Sequence, residues 1–329
     1  MDALSDVLKS VRLEGAVYLN AEFTAPWCVQ AKFGLAKALA QLAGAEHVVY
    51  FHFLAEGGCK VRLADGEVLD AASEDLVIFP REERHVMGSD LQLAPVEAAR
   101  LLEPGDRSGT DLFQIRHGGG GAATRVVCGY LACSSSVCRP LLEALPRMLR
   151  VPIGDGPAAA MLRELLRVGV RESTASRPGA QSMLAKLSEL MFVEALRRYV
   201  ETLPPGGSGW LAGVRDAQIG RALALLHAEP GRDWTVDDLA REVALSRSAL
   251  AERFASLVGE PPMQYLTRWR LALAADALRS GNRAISRVAE QSGYESESAF
   301  NRAFKREFGM PPAAWRRRSP GKPGARTSP

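Results

Sequence analysis

The chain has 329 residues, 47% hydrophobic and 24% charged, which is ordinary for a globular protein and long enough for two domains with separate cores. No apolar run approaches the roughly 18–20 residues that cross a bilayer, and the start, Met1 to Asp6, lacks the basic flank and apolar core of a signal peptide. Five cysteines, an odd count without an export signal, argue against a structural disulfide set, so a cytoplasmic protein is expected.

Net charge is +3, but it is unevenly spread. Residues 1–214 hold 22 Lys and Arg against 25 Asp and Glu, whereas residues 215–329 hold 19 against 13. The second part therefore carries the basic surplus that phosphate neutralisation requires.

In chain order, Leu4, Val7, Leu8 and Val11 predict a short amphipathic helix leading into a strand at Gly15–Leu19. Strand patterns follow at His47–Leu54, Cys59–Leu63, Leu76–Phe79 and Arg125–Leu131, with glycine turns at Glu56–Gly58, Ala64–Gly66 and Gly118–Gly121. Short strands so closely spaced predict a small sandwich or barrel. The run Glu74–His85 resembles the second conserved motif of the cupin barrel, and with Phe51-His52-Phe53 upstream the region looks like a cupin-type sensor. Metal-binding cupins carry a His-x-His and a following Glu in their first motif. Here His52 is followed at the second position by Leu54, and His85 alone matches a ligand position. No metal, cofactor or catalytic residue is therefore expected, and His52 and His85 are candidates for lining an effector pocket. The alternative is a cupin metalloenzyme fused to a DNA-binding module.

Cys128, Cys133 and Cys138 are spaced too widely for the paired thiolates of a structural zinc site. Cys128 lies on a strand, where a cysteine behaves as a small apolar residue. Cys133 and Cys138 flank a polar loop, and Arg139 next to Cys138 would favour its thiolate. Two readings stay open, inert thiols or a redox or electrophile switch.

Leu141, Leu142, Leu145 and Leu149 predict a helix over 140–151 packing on the barrel, and a second helix is expected over 158–168. A polar loop over 172–179 precedes a long helix near 181–202, where Met183, Leu184, Leu187, Leu190, Met191 and Leu196 form a broad apolar face. That face either packs on the barrel or pairs two subunits. Pro204–Gly209 reads as the interdomain linker.

Beyond it, a helix over 216–228 ends at His227, expected as a capping or surface residue. Two copies of one device follow. Ser246-Arg-Ser-Ala-Leu-Ala-Glu-Arg-Phe254 recurs as Ser296-Glu-Ser-Ala-Phe-Asn-Arg-Ala-Phe304, an offset of 50 residues that also maps Gly259 onto Gly309 and Pro261-Pro262 onto Pro311-Pro312. Each copy predicts helix, tight turn, helix. Thr235 with Asp238 forms a capping box, Ser246 and Ser296 cap the second helices, and the glycines end them. Leu250 and Phe254, and Phe300, Phe304 and Phe308, face inward. Arg247, Ser248 and Glu252 in the first copy, and Glu297, Ser298, Asn301, Arg302 and Lys305 in the second, face outward, where a helix-turn-helix meets bases and phosphates. Arg302 and Lys305 fit either partner.

The run Gly293-Tyr-x-Ser-x-Ser-x-Phe-x-x-x-Phe-Lys-x-x-Phe-Gly-x-x-Pro, with its earlier copy, resembles the DNA-binding domain of the AraC/XylS family of bacterial regulators over about residues 215–318. The resemblance implies a sequence-specific regulator of transcription that binds an operator, leaning toward activation through RNA polymerase, and a helix before the linker that often pairs subunits in a homodimer. The amino-terminal part would sense a small molecule or an oxidant. The expected protein is α+β: a cupin-like barrel over 1–140, a helical dimerisation or connector region over 141–203, a linker over 204–214, the tandem helix-turn-helix over 215–318 and a disordered basic tail over 319–329.

Overall fold

The computed structural model describes residues 2–10, 13–31, 47–102, 113–133, 136–153, 156, 159–161, 163–164, 167–168, 178–204, 207–281 and 283–318. The expected tail lies outside them, as do most of the polar loop over 172–179 and parts of the helix expected over 158–168. The chain forms two compact units. One comprises residues 13–133 and 145–202; the other comprises residues 1–12, 134–144 and 203–329. The sheet unit ends at residue 202, and the first twelve residues and the 134–144 segment group with the carboxy-terminal part.

The sheet unit contains β1 (Leu13–Thr24), β2 (Cys28–Ala31), β3 (His47–Glu56), β4 (Cys59–Leu63), β5 (Val68–Ala71), β6 (Asp75–Phe79), β7 (His85–Gly88), β8 (Val96–Glu97), β9 (Phe113–Gly118), β10 (Ala123–Cys133) and β11 (Leu149–Pro152). They form a six-stranded sheet in the order β11-β6-β3-β10-β1-β9 and a five-stranded sheet in the order β5-β4-β7-β2-β8. Leu19, Tyr50, Val77 and Val126 of the first share one apolar core with Val29, Val61, Leu63 and Met87 of the second. The expected barrel is thus open: among the described residues no hydrogen-bonded ladder joins the two sheets. Alternation explains another departure. Leu149 and Val151 are buried and Arg150 and Pro152 exposed, a period of two, so this stretch is a strand beside β6 rather than the end of a helix.

The long helix, Ala180–Thr202, packs along β1. Its approach depends on Gly15, where a Cβ would stand 2.7 Å from the carbonyl oxygen of Ala185. Leu184, Leu187, Met191 and Leu196 are buried and Leu190 is exposed. The apolar face is largely spent on the helix's own sheet.

The helical unit holds α1 (Ala3–Ser10), α2 (Arg139–Glu143), then, numbering the long helix α3, α4 (Trp210–Arg215), α5 (Ala217–Ala228), α6 (Val236–Glu242), α7 (Arg247–Val258), α8 (Pro262–Ser280), α9 (Ile285–Gln291), α10 (Glu297–Phe308) and α11 (Pro312–Arg318). The 140–151 helix expected from sequence is cut to α2, which belongs to this unit together with the 3-10 turn Ser136–Cys138. The backbone N–H of Ser136 donates to Asp276 on α8 at 2.9 Å. Helix α1 lies against α5 and buries Ala3, Leu4 and Val7. Around α8 gather Leu271, Ala275, Leu278, Val288, Phe300 and Phe304, and the indole N–H of Trp315 donates to the Ala275 carbonyl at 3.2 Å.

Candidate nucleic-acid interface

Helices α6 and α7, and α9 and α10, are the two helix-turn-helix copies. Thr235 and Asp238 close the capping box at the start of α6, each side chain bonding the other residue's backbone N–H. Ser246 Oγ accepts from the N–H of Ala249 at 3.2 Å, and Ser296 Oγ accepts from the N–H of Ala299 at the same distance. Gly259 and Gly309 end the helices at φ 90° and 74°, as left-handed caps. Both second helices have 12 residues and start 50 residues apart, so the sequence repeat is a repeat of geometry.

Their inner faces are dry: Leu250, Phe254, Phe300 and Phe304 are buried. Their outer faces are wet. Arg247, Ser248 and Glu252 on α7, and Glu297, Ser298, Arg302 and Lys305 on α10, are exposed, while Asn301 is half-buried. Helix α8, about 28 Å long for its 19 residues, connects the copies and is of the scale of one turn of DNA, roughly 34 Å.

Several residues that tie this unit's helices together are not evident from sequence. Arg253 on α7 is clamped, its guanidinium 2.6 Å from Asp216 and 2.8 Å from Gln218 at the start of α5. Asp216 also caps α5 through the N–H groups of Gln218 and Ile219. Its carboxyl lies below the usual range: burial opposes this, but those N–H groups and Arg253 prevail. His227 is neither cap nor surface residue. It is buried, stacked on Trp269 at 4.0 Å, and its Nε2 lies 2.7 Å from the Tyr265 hydroxyl, which accepts from the Trp210 indole N–H at 2.9 Å. Burial pushes its pKa down to about 4.

In the sheet unit the expected pocket histidines are buried and bonded to each other. His52 and Cys128 are directly paired across β3 and β10, which brings Cys128 Sγ to 2.9 Å from His52 Nδ1. His52 Nε2 lies 2.8 Å from His85 Nε2, and His85 Nδ1 lies 3.0 Å from the Glu83 carbonyl. A carbonyl only accepts, so the chain of donors has one direction. His85 Nδ1–H donates to Glu83, His52 Nε2–H donates to His85, and the Cys128 thiol donates to His52. Burial drives both imidazoles below their ordinary pKa, His52 further because His85 adjoins it, and drives the Cys128 thiol up. All three groups are thereby neutral at neutral pH. Among the described residues no cluster of three or more His, Cys, Asp or Glu could hold a metal ion.

Cys133 and Cys138 are both buried and disulfide-bonded, whereas Cys28, Cys59 and Cys128 are free. Neither Cys133 nor Cys138 is a free thiol, and Arg139, considered as a partner for a Cys138 thiolate, pairs with Glu143 at 2.7 Å. No described helix is long and apolar enough to cross a membrane.

A two-sheet sensor-type unit followed by paired, serine-capped helix-turn-helix motifs defines a class, the DNA-binding proteins that join a cupin domain to a helix-turn-helix domain. Comparison with known proteins agrees: the Cupin family matches residues 2–201 and the Helix-turn-helix domain family matches residues 239–318. A putative AraC-like transcription regulator of Streptomyces lividans is 35% identical over 320 residues, covering 96% of this chain and 98% of that protein. AlkR of Acinetobacter baylyi is 30% identical, over 97% of this chain and 100% of its own length, and RclR of Escherichia coli is 27% identical over 97% and 98%. Among solved structures, ToxT of Vibrio cholerae aligns over 95% of this chain and 100% of its own at 14% identity with a TM-score of 0.38. The chain belongs to the AraC-like family, and it is a DNA-binding transcription regulator with an amino-terminal cupin domain.

Proposed function

We propose that α7 and α10 enter two successive major grooves of an operator. Arg247, Ser248 and Glu252 would meet one groove, and Glu297, Ser298, Asn301, Arg302 and Lys305 the next. The repeat of two 12-residue helices at a 50-residue offset, each with a buried apolar face and an exposed polar one, carries the reading. Arg302 is the most telling residue: it is exposed near the middle of α10. Arg302→Ala weakens operator binding by about 1–3 kcal/mol at fixed salt. Unchanged affinity would remove α10 from the interface.

The protein works in the cytoplasm as a non-enzymatic regulator, and the sheet unit responds to a small molecule or an oxidant. Its buried His52–His85–Cys128 chain is the first place to look for that response, because three polar groups inside an apolar core have no packing role that alkyl groups would not fill. RclR is named an RCS-specific transcriptional activator, which supports activation, with RNA polymerase as the partner. Leu190, exposed on α3, supports pairing of two copies.

A further inference from the structure

The two recognition helices treat their cations differently. On α7, Arg247 Nη1 lies 3.1 Å from Asp237 Oδ2, a carboxylate in the first turn of α6, and Arg253 is held by Asp216 and Gln218. Both guanidiniums are already answered by the protein. On α10, Arg302, Lys305 and Arg306 are exposed, and their side chains make no hydrogen bond or ion pair among the described residues. The pairing is also not a feature of the repeat. Aligned helix on helix, Asp237 in α6 corresponds to Ser286 in α9 and Arg247 to Glu297, so the second copy has neither member of the pair.

We infer that Asp237 is a specificity-determining residue, which withholds Arg247 from DNA unless a guanine edge repays the exchange, and that α10 supplies most of the phosphate affinity. The inference rests on α7 and α10 being the reading helices. To touch DNA, Arg247 leaves a carboxylate 3.1 Å away, and that carboxylate then faces phosphate with its charge uncompensated. A single phosphate contact in solvent does little more than replace one anion by another. Two parallel hydrogen bonds to guanine O6 and N7 add what the carboxylate did not give. Asp237 therefore costs nonspecific binding more than specific binding. The pair itself is exposed, with side chains 70% and 57% accessible, so it adds little to folding. Its effect appears on DNA.

Counterion release makes this measurable, because each phosphate contact contributes about 0.9 to the slope of log K against log salt. The probes are a random-sequence 30-base-pair duplex and a duplex selected from a random pool by the wild-type protein, both titrated from low to moderate KCl. Asp237→Asn keeps the shape of the side chain and frees Arg247. It steepens the slope on random DNA by about 0.9, tightens random binding several-fold, and lowers the ratio of selected to random affinity. Arg302→Ala and Lys305→Ala each flatten the slope by about the same step, whereas Arg253→Ala leaves it unchanged. An Asp237→Asn protein with the wild-type slope and ratio overturns the inference, as does a flattened slope in Arg253→Ala with none in Arg302→Ala and Lys305→Ala. A wild-type protein that selects no preferred sequence from the pool overturns instead the operator reading on which the inference rests.

Discussion

At the scale of single residues, His227 shows how burial writes a pH dependence into the fold. The unfolded chain takes up a proton on this imidazole near pH 6.5, but the folded chain resists until about 4. A depressed folded pKa means that its stability is fully present above 6.5 and is lost as the pH falls through that window. By pH 5 the loss amounts to about 2 kcal/mol. His227→Gln removes this dependence, so its melting temperature falls less between pH 7 and pH 5 than that of the wild type. An equal fall in both proteins would show that His227 is already charged or exposed. His52 and His85 act in the same direction but are intact in both proteins. Nothing local in the sequence announces any of these environments. His227 ends an amphipathic helix like many surface residues, and its partners Trp210, Tyr265 and Trp269 come from other helices. That Cys133 and Cys138 are disulfide-bonded was equally hidden, because an odd count and a polar loop point toward free thiols. His52 and Cys128 are adjacent only because β3 and β10 pair in one register.

At the scale of elements, the turns of the two copies make an internal comparison. In the first, Ala244 stands at φ 54°; in the second, Gly293 stands at φ 76° in the corresponding place. The left-handed region costs a residue with a Cβ about 1–2 kcal/mol, from which glycine's extra unfolded entropy subtracts roughly half. Ala244→Gly therefore stabilises the unit by up to about 1 kcal/mol in denaturant melts. The reverse change, Gly293→Ala, costs about 1–2 kcal/mol or more. Its Cβ would sit 2.9 Å from Arg270 Nη1, and Arg270 is fixed by hydrogen bonds to the carbonyls of Pro230 and Arg232. Opposite signs at the two turns are the expected outcome, and equal signs would show that the copies bend differently. These elements were legible in the sequence because their information is local: a capping serine, a terminal glycine and an inward apolar stripe recur in fixed register. The 140–151 stretch was not. Its leucines fit a helix up to Glu143, and only pairing of Leu149–Pro152 with β6 turns the remainder into a strand.

At the scale of the molecule, the charge division foreshadows the architecture. The acidic first part is mostly the sheet unit and the basic second part carries the paired motifs. Sequence also conveyed the two-domain plan and the β character of the first domain. It could not convey that the sheets stay open, or that residues 1–12 and 134–144 join the helical unit, since both depend on contacts far apart in the chain. The central claim is that one chain reads two grooves in succession. Hydroxyl-radical footprinting on a selected operator tests it most directly. Protected patches are expected in pairs on one face of the duplex, about 10 base pairs apart, with Arg302→Ala weakening one patch of each pair before the other. A single patch per bound chain, or protection with no preferred position, would contradict it.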